Sequence, residues 1–305
     1  MWIIKHKNFF FLLSGLLVAL SLVAIGIFGF KYGIEFTGGT LAEVNYPDGR
    51  PSAEDVKEKL NALNWEGTIV QTTGEKGLLV RTKALAEGDH EKLVAALTDN
   101  GTRKVEELRL DSVGPVVGQE LKSKAGWAIL AVIIAIVLYI AFAFSGVSKP
   151  VSSWVYGFVA ILSLAHDVII PTGVYVVLSH YFIDVQVDVL FVMAILTVLG
   201  FSVHDTIVVF DRTRENIKLR TWKEFATTVG HSVEQTFTRS INTSLTVLLV
   251  TLALYFVGGE TTKNFALVLA IGILAGTYSS IFFGSPMLVA IEEWQKKREE
   301  SGRRK

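Results

Sequence analysis

The apolar residues of this chain fall into long runs that are separated by polar stretches. Six such runs cover residues 9–30, 125–145, 152–179, 189–210, 240–258 and 264–290. A helix needs about 20 apolar residues to cross the hydrocarbon core of a bilayer. The pattern therefore predicts a membrane protein with a six-transmembrane-helix bundle. No small-residue cleavage pattern follows the first run, so we expect that run to be retained as a helix.

The polar stretch between the first two runs, residues 31–124, has a different pattern. Periods of two and of 3.6 residues alternate in the order strand, helix, strand, strand, helix, strand. Ser52 and Asp89 stand where the two helices should begin. This βαββαβ order predicts a small α+β ferredoxin-like domain with both helices on one face of the sheet.

Basic residues are concentrated in alternate loops. They precede the first run and follow the second, fourth and sixth runs. These residues are Lys5, Lys7, Lys149, Arg212, Arg214, Lys218, Arg220, Lys223, Lys296, Lys297, Arg298, Arg303, Arg304 and Lys305. The opposite loops contain Asp184, Asp188 and Glu260, with Lys263 as their one basic residue. Because short cytoplasmic loops carry the excess of lysine and arginine, both termini should be cytoplasmic and the 31–124 domain extracytoplasmic.

Two polar segments complete the predicted organisation of the chain. Residues 221–237 are too polar to span, and Trp222, Phe225 and Val229 share one side at helical spacing. This predicts a short amphipathic helix at the cytoplasmic interface, with a surface helix capping the bundle as the alternative. The remaining segments are residues 1–30 with the first helix, residues 125–290 with the other five, and a charged tail at 291–305.

The composition agrees with a multi-pass membrane protein, because 50% of the residues are hydrophobic and 19% are charged. The absence of cysteine excludes disulfides, thiolate metal sites and cysteine nucleophiles. The chain has no glycine-rich phosphate loop and no Ser-His-Asp order. The sequence therefore predicts neither an enzyme nor a cofactor, and any work must come from a membrane gradient or a partner.

Two His-Asp pairs stand inside predicted spans. His166 and Asp167 lie about halfway along the third, and His204 and Asp205 lie in the fourth, six residues before Asp211. A carboxylate inside a bilayer is costly and usually marks a functional site. Histidines add groups that titrate near neutral pH, so these four residues are candidates for a proton relay.

Two other roles for these pairs stay open at this stage. A buried aspartate can serve only to lock helix packing through hydrogen bonds. Two histidines and two aspartates could also bind zinc, but adjacent residues on a helix point about 100° apart, unlike the pairs four residues apart in helical zinc motifs. The spacing disfavours a metal site.

The last two runs contain polar and small residues at helical spacing. Arg239, Asn242, Thr243 and Thr246 form a polar stripe on the fifth, which we expect to face inward. Gly272, Gly276 and Ser280 recur every four residues on the sixth. Such small-residue faces allow close approach of helices, so both faces are expected to pack against other helices, including those of a partner.

An ordered series of short motifs resembles the SecD/SecF family of protein-translocase accessory subunits. The runs are GIEFTGGT at 33–40, VGPVVG at 113–118, AHDV at 165–168, DTIVVFDRTREN at 205–216, Arg239 with Thr243 and Ser244, and GTYSSI at 276–281. The family motif residues so identified are Gly33, Phe36, Thr37, Gly38, Gly39, Gly114, Pro115, Asp211 and Arg212. Glu35 replaces a usual aspartate, and His204 replaces a common asparagine and adds a titratable group beside Asp205.

The resemblance implies a role in secretion. Similar chains pair with SecD, dock on the SecYEG channel of the bacterial inner membrane, and use the proton motive force to help pull preproteins outward. The positions of Asp205 and Arg239 are implicated in proton conduction in this family, which makes Arg239 the expected counter-charge of Asp205. The bundle and its outer domain also resemble half of an RND-type transporter.

Two other functions remain as alternatives to a gradient-coupled secretion subunit. One is half of an RND-type small-molecule exporter, although such an exporter would have two large outer domains and twice the spans in one chain. The other is a scaffold subunit that stabilises the channel without conducting ions, in which Asp205 is structural.

The charge distribution makes the topology testable. Protease added to intact spheroplasts should cut the chain near Glu75, in a hairpin of the 31–124 domain, and should spare Lys149 and the C-terminal tail. Immunoblots with antibodies to the domain and to the tail would follow both fragments. Cleavage of the tail in intact spheroplasts would contradict the predicted orientation.

Overall fold

The structure is a computed structural model that describes residues 2–65, 67–86, 88–144, 150–182 and 185–303. Four charged residues of the orientation argument, Lys149, Asp184, Arg304 and Lys305, lie outside these ranges. The chain separates into two compact units. The sheet unit is Tyr32–Trp127, and the helical unit combines Met1–Lys31 with Ala128–Lys305.

Long helices dominate the chain outside the sheet unit. They are α1 (Trp2–Lys5), α2 (Lys7–Phe28), α6 (Pro115–Ala143), α7 (Ser153–Tyr181), α8 (Val189–Lys218), α9 (Phe225–Val257), α10 (Glu260–Tyr278), a π-helical turn (Ser279–Gly284) and α11 (Ser285–Arg303). Among the described residues, six helices are long and apolar enough to cross a membrane, the sixth running through α10, the π-helical turn and α11. The prediction of six spans is confirmed, and the chain is a multi-pass membrane protein.

The separate amphipathic helix predicted at 221–237 is wrong: residues 221–224 precede α9, and residues 225–237 are the beginning of α9, which continues unbroken to Val257. Phe225, Val229 and Val233 are buried in the main apolar cluster of the helical unit. The apolar side was identified correctly, but it faces other helices of the chain. The charged tail likewise continues the sixth span as the helix α11.

Aromatic stacking and close backbone contacts hold the helical unit together. The rings of Phe144 and Tyr156 stack with centroids 5.4 Å apart, and Phe210 meets Tyr156 edge-on at 5.5 Å, which ties the ends of α6, α7 and α8 together. Further along α7, an alanine Cβ at Gly173 would lie 2.5 Å from Ser21 Cα of α2. Glycine therefore permits α2 and α7 to approach closely.

The sheet unit has the predicted βαββαβ order. Its elements are α3 (Ile34–Thr37), β1 (Gly39–Asn45), α4 (Ala53–Asn61), β2 (Ile69–Thr73), β3 (Gly77–Thr82), α5 (Asp89–Thr98) and β4 (Glu106–Val113). The strands form one sheet in the order β2-β3-β1-β4, and all neighbours are antiparallel. Thr40 lies opposite Thr82 on one side and Ser112 on the other. The ferredoxin-like prediction is confirmed.

Alternation along the strands builds the core of the sheet unit. Its buried apolar side chains come from both helices and from the inner face of the sheet, and are Ala42, Val44, Tyr46, Val56, Leu60, Trp65, Leu78, Val80, Leu93 and Leu97. Tyr46 donates a hydrogen bond to the Leu97 carbonyl at 3.1 Å, and burial raises the pKa of Tyr46 to about 12. Ser52 caps α4 as predicted, whereas Gly88 caps α5 and Asp89 is its first residue.

Two glycine-containing motifs, about eighty residues apart in the sequence, contact each other inside the sheet unit. Gly38 has a φ of +75°, and an alanine Cβ there would lie 2.8 Å from Pro115 Cα. A Cβ on Gly118 would lie 2.8 Å from the Gly38 nitrogen. The chain entering β1 therefore rests directly on the first turn of α6, and only glycine allows this contact.

This contact predicts a specific loss of stability. Gly118→Ala should destabilise the sheet unit by about 1–3 kcal/mol, because the new methyl group overlaps the backbone of Gly38. Gly126→Ala is the matched control: it lies in the same helix, and its Cβ would have no neighbour within 4 Å. Pulse proteolysis of the full-length protein in increasing urea measures both. Equal stability of the two variants would contradict the close-contact argument.

Candidate functional site

Asp167 lies in the middle of α7 and is 0% exposed. Its Oδ2 accepts hydrogen bonds from Ser202 Oγ of α8 and from Ser279 Oγ of the π-helical turn, the latter at 2.7 Å. Its Oδ1 lies 2.8 Å from Nδ1 of the neighbouring His166. Side chains from α7, α8 and the sixth span therefore meet at this carboxylate.

Asp205 on α8 is 2% exposed and forms a second, looser polar centre. Ser244 Oγ of α9 lies 3.5 Å from Asp205 Oδ2, at the long limit for a hydrogen bond. Ser244 in turn accepts a hydrogen bond from Thr277 Oγ1 of α10 at 2.6 Å. Ser240, one turn earlier on α9, contributes another hydroxyl near the same carboxylate.

The sixth span serves both carboxylates. Thr277 reaches Asp205 through Ser244, and Ser279 binds Asp167 directly. A Cβ on Gly276 would lie 3.2 Å from Ser202 Cβ and 3.7 Å from Asp167 Oδ2, so glycine here lets the two helices close around the site. The helix changes from α to π at this point, and such π segments often occur at functional sites.

The predicted relay residues separate into a buried and an exposed group. His166, Asp167 and Asp205 lie inside the bundle, whereas His204 and Arg239 are exposed on the surface of this chain. Among the described residues, neither aspartate forms an ion pair with a lysine or arginine. The structure thus shows two buried carboxylates that are surrounded mainly by hydroxyl groups.

The predicted inward direction of the stripe on the fifth span is wrong. Arg239, Asn242 and Thr246 are exposed and Thr243 is half-buried. The polar residues of this helix that face the bundle are instead Ser240, Ser244 and Thr251. The two sets differ by about one residue in helical phase, and the order of polar residues in the sequence does not determine which set faces inward.

The small-residue face of the sixth span packs within the chain. Gly272, Gly276 and Ser280 are all buried, and a Cβ at Gly272 would overlap the side chain of Val198 on α8. The prediction that these residues pack helices closely is therefore correct for α8. The expectation that the same face is available to a partner is wrong, because a leucine at Gly276 would clash inside this chain.

Sequence reasoning missed the hydroxyl residues that bind the carboxylates. Ser202 and Ser279 donate to Asp167, and Ser244 and Thr277 lead to Asp205, but the sequence predicted no such role for any of the four. All four stand in apolar helices or in the motif runs. A hydroxyl residue at such a position is the sequence signal that could have identified them. Within the described ranges, no three histidine, aspartate or glutamate side chains converge as a metal site would require.

Comparisons with known sequences agree on one family. The model for the C-terminal part of the protein export membrane proteins SecD/SecF matches residues 92–294, and the model for the SecD/SecF GG motif matches residues 23–46. The protein translocase subunit SecF of Thermobaculum terrenum is 40% identical over 97% of this chain and 94% of its own length. The SecF subunit of Haemophilus influenzae is 38% identical over 91% of this chain and 82% of its own length.

Solved structures give the same result. The crystal structure of SecDF, a translocon-associated membrane protein from Thermus thermophilus, matches with a TM-score of 0.81 and 33% identity over 95% of this chain. This chain covers 38% of that longer chain. A structure of SecDF in a super-membrane-facing form matches with a TM-score of 0.69, also at 33% identity, over 98% of this chain and 40% of that one.

Proposed function

The chain belongs to the SecD/SecF family of protein export membrane proteins, and from this premise we propose that it is the SecF-type subunit of a Sec translocase accessory complex. In this role it uses the proton motive force to assist protein export across the bacterial inner membrane. Both termini are cytoplasmic and the sheet unit is extracytoplasmic. The role is one of transport and involves no enzymatic reaction.

The observation that carries this proposal is the pair of buried carboxylates on α7 and α8. A buried carboxylate is expensive in a membrane helix and is retained where ions or protons move. Hydroxyl groups from α8, α9 and the sixth span surround Asp167 and Asp205 and can pass a proton between hydrogen-bonded neighbours. Movement of one charge through 100 mV yields about 2.3 kcal/mol, which is enough to bias a conformational change.

Arg239 is the counter-charge of Asp205 in another state of the cycle. In this structure it is exposed on α9, but it directly precedes Ser240, whose hydroxyl faces Asp205. Adjacent residues on a helix differ by about 100° in direction. A rotation of α9, or extension of the long arginine side chain around it, would therefore exchange a hydroxyl for a positive charge beside the carboxylate. His204 is the titratable group on the exposed side of the same carboxylate.

A SecD-type chain is the partner. In Thermus thermophilus the matching chain is SecDF, of which this chain corresponds to 38%. Polar residues exposed on a spanning helix favour contact with another helix over contact with lipid. The exposed stripe of Arg239, Asn242 and Thr246 on α9 therefore suits a SecD-type helix. The SecYEG channel and translocating preproteins are the further partners of the complex.

The role of Asp205 is tested by removal of its charge. Asp205→Asn should insert and assemble with the SecD-type partner normally but abolish gradient-dependent stimulation of preprotein export, because asparagine cannot take up a proton. Glu234→Gln is the control, since it makes the same chemical change at an exposed position of α9. Export into inverted vesicles is measured with and without a proton gradient. Normal gradient-dependent export with Asp205→Asn would contradict the relay role of Asp205.

The coupling of Asp205 to Arg239 is tested by a double change. If the two residues act in one step, Asp205→Asn combined with Arg239→Gln should impair export no more than either single change does. The same vesicle assay compares the three variants, with co-purification of the partner as the measure of assembly. Additive losses would show that the two residues act independently.

A further inference from the structure

The two ring nitrogens of His166 have different surroundings. Nδ1 lies 2.8 Å from Asp167 Oδ1. Nε2 is buried and has no hydrogen-bond partner among the described residues, and the residue is 2% exposed. A buried polar group without a partner is destabilising. The fold therefore keeps one nitrogen of a fully enclosed histidine unsatisfied, directly beside a carboxylate.

Packing fixes the direction of this ring. The imidazole is inclined by 17° to the ring of Tyr278 and by 17° to that of Phe283, with centroids 5.8 and 5.4 Å away. Both neighbours belong to the sixth span, which also supplies Ser279 to Asp167. The orientation of Nε2 thus follows from aromatic stacking and from the Nδ1 contact.

A second unsatisfied group lies on the same turn of α7. Ser163 Oγ is fully buried and has no partner among the described residues. Residues three apart on a helix share a face, so Ser163 and His166 are neighbours. A Cβ on Gly284 would lie 2.9 Å from Ser163 Oγ and 3.5 Å from the Ser279 carbonyl oxygen. An added methyl group would overlap this hydroxyl, so glycine lets the sixth span pack closely against Ser163.

We propose that His166 and Asp167 form a second proton-uptake site, which is fed at Nε2 by internal water held at Ser163. Buried polar groups of this kind are commonly bridged by internal water. On uptake, an O–H bond of a protonated water breaks and the Nε2–H bond forms. The Asp167 carboxylate at Nδ1 balances the new positive charge, and loss of the same proton to water reverses the step.

This inference rests on the proposed gradient-driven function and adds a binding group to it. The titratable groups that face His166 are Asp167 on its own helix, Asp205 of α8 near Asp167, and Tyr278 of α10. From α2, the Ser14 hydroxyl donates a hydrogen bond to Tyr278 at 3.2 Å.

The test separates the two nitrogens. In His166→Asn the amide can replace Nδ1 and still donate to Asp167, while in His166→Gln it can reach the position of Nε2. Neither amide titrates, so both variants should lower proton flux into proteoliposomes about tenfold or more. A residue that only positions Asp167 would be replaced successfully by asparagine. His180→Asn, at the exposed end of α7, is the control.

A second pair of variants tests the water position. Gly284→Ala places a methyl group against Ser163 Oγ, and the further change Ser163→Ala relieves that contact. The double variant should regain the thermal stability of the parent protein but not its proton flux. Recovery of flux in the double variant would overturn the water site.

The outcomes also distinguish this inference from the proposed function. Full flux with His166→Asn, together with an inactive Asp205→Asn, would reject the uptake site and retain the gradient-driven role. Full flux with both would reject both. If His166→Asn fails to assemble, His166→Gln and the Gly284 variants test the uptake site in its place. Loss of proton flux in a stable variant supports the uptake site, and normal flux overturns it.

Discussion

The helical unit depends on one constraint, which is that two carboxylates buried among apolar helices must receive hydrogen bonds from the protein. Lipid offers none, so the donors have to come from the protein itself. Asp167 obtains its donors from Ser202 and Ser279, and Asp205 obtains its nearest one from Ser244. These bonds fix the rotation of α8, α9 and the sixth span around α7.

Close helix packing follows from the same requirement. Serine and threonine side chains are short, so they reach a carboxylate on another helix only if the backbones approach closely. Gly276 brings the sixth span against Ser202 beside Asp167, and Gly272 accommodates Val198 one turn away. The π-helical turn then places Ser279 toward Asp167. The glycines of this span therefore serve the polar site as well as general packing.

Properties that depend on a single segment could be predicted from the sequence, and properties that depend on neighbouring helices could not. Apolar runs located the spans, alternation located the strands, and the cost of buried charge singled out Asp167 and Asp205. The predicted inward face of α9 was wrong by about one residue, because the spacing of polar residues along a helix does not show which of them faces the bundle. The segment at 221–237 was separated from α9 because interfacial and bundle-facing apolar sides have the same spacing.

The two carboxylates differ in how many hydrogen-bond contacts hold them, and this difference bears on which one can exchange its partners. Asp167 is held by two hydroxyl donors and an imidazole nitrogen, so any change of partner must break several contacts at once. Asp205 has one long hydroxyl contact at 3.5 Å and a second hydroxyl nearby. In the proposed cycle, an arginine replaces these weak hydrogen bonds with a charge-assisted bond. Asp167 is then the fixed centre of the proposed cycle and Asp205 the changing one, next to α9, whose Arg239, Asn242 and Thr246 are exposed.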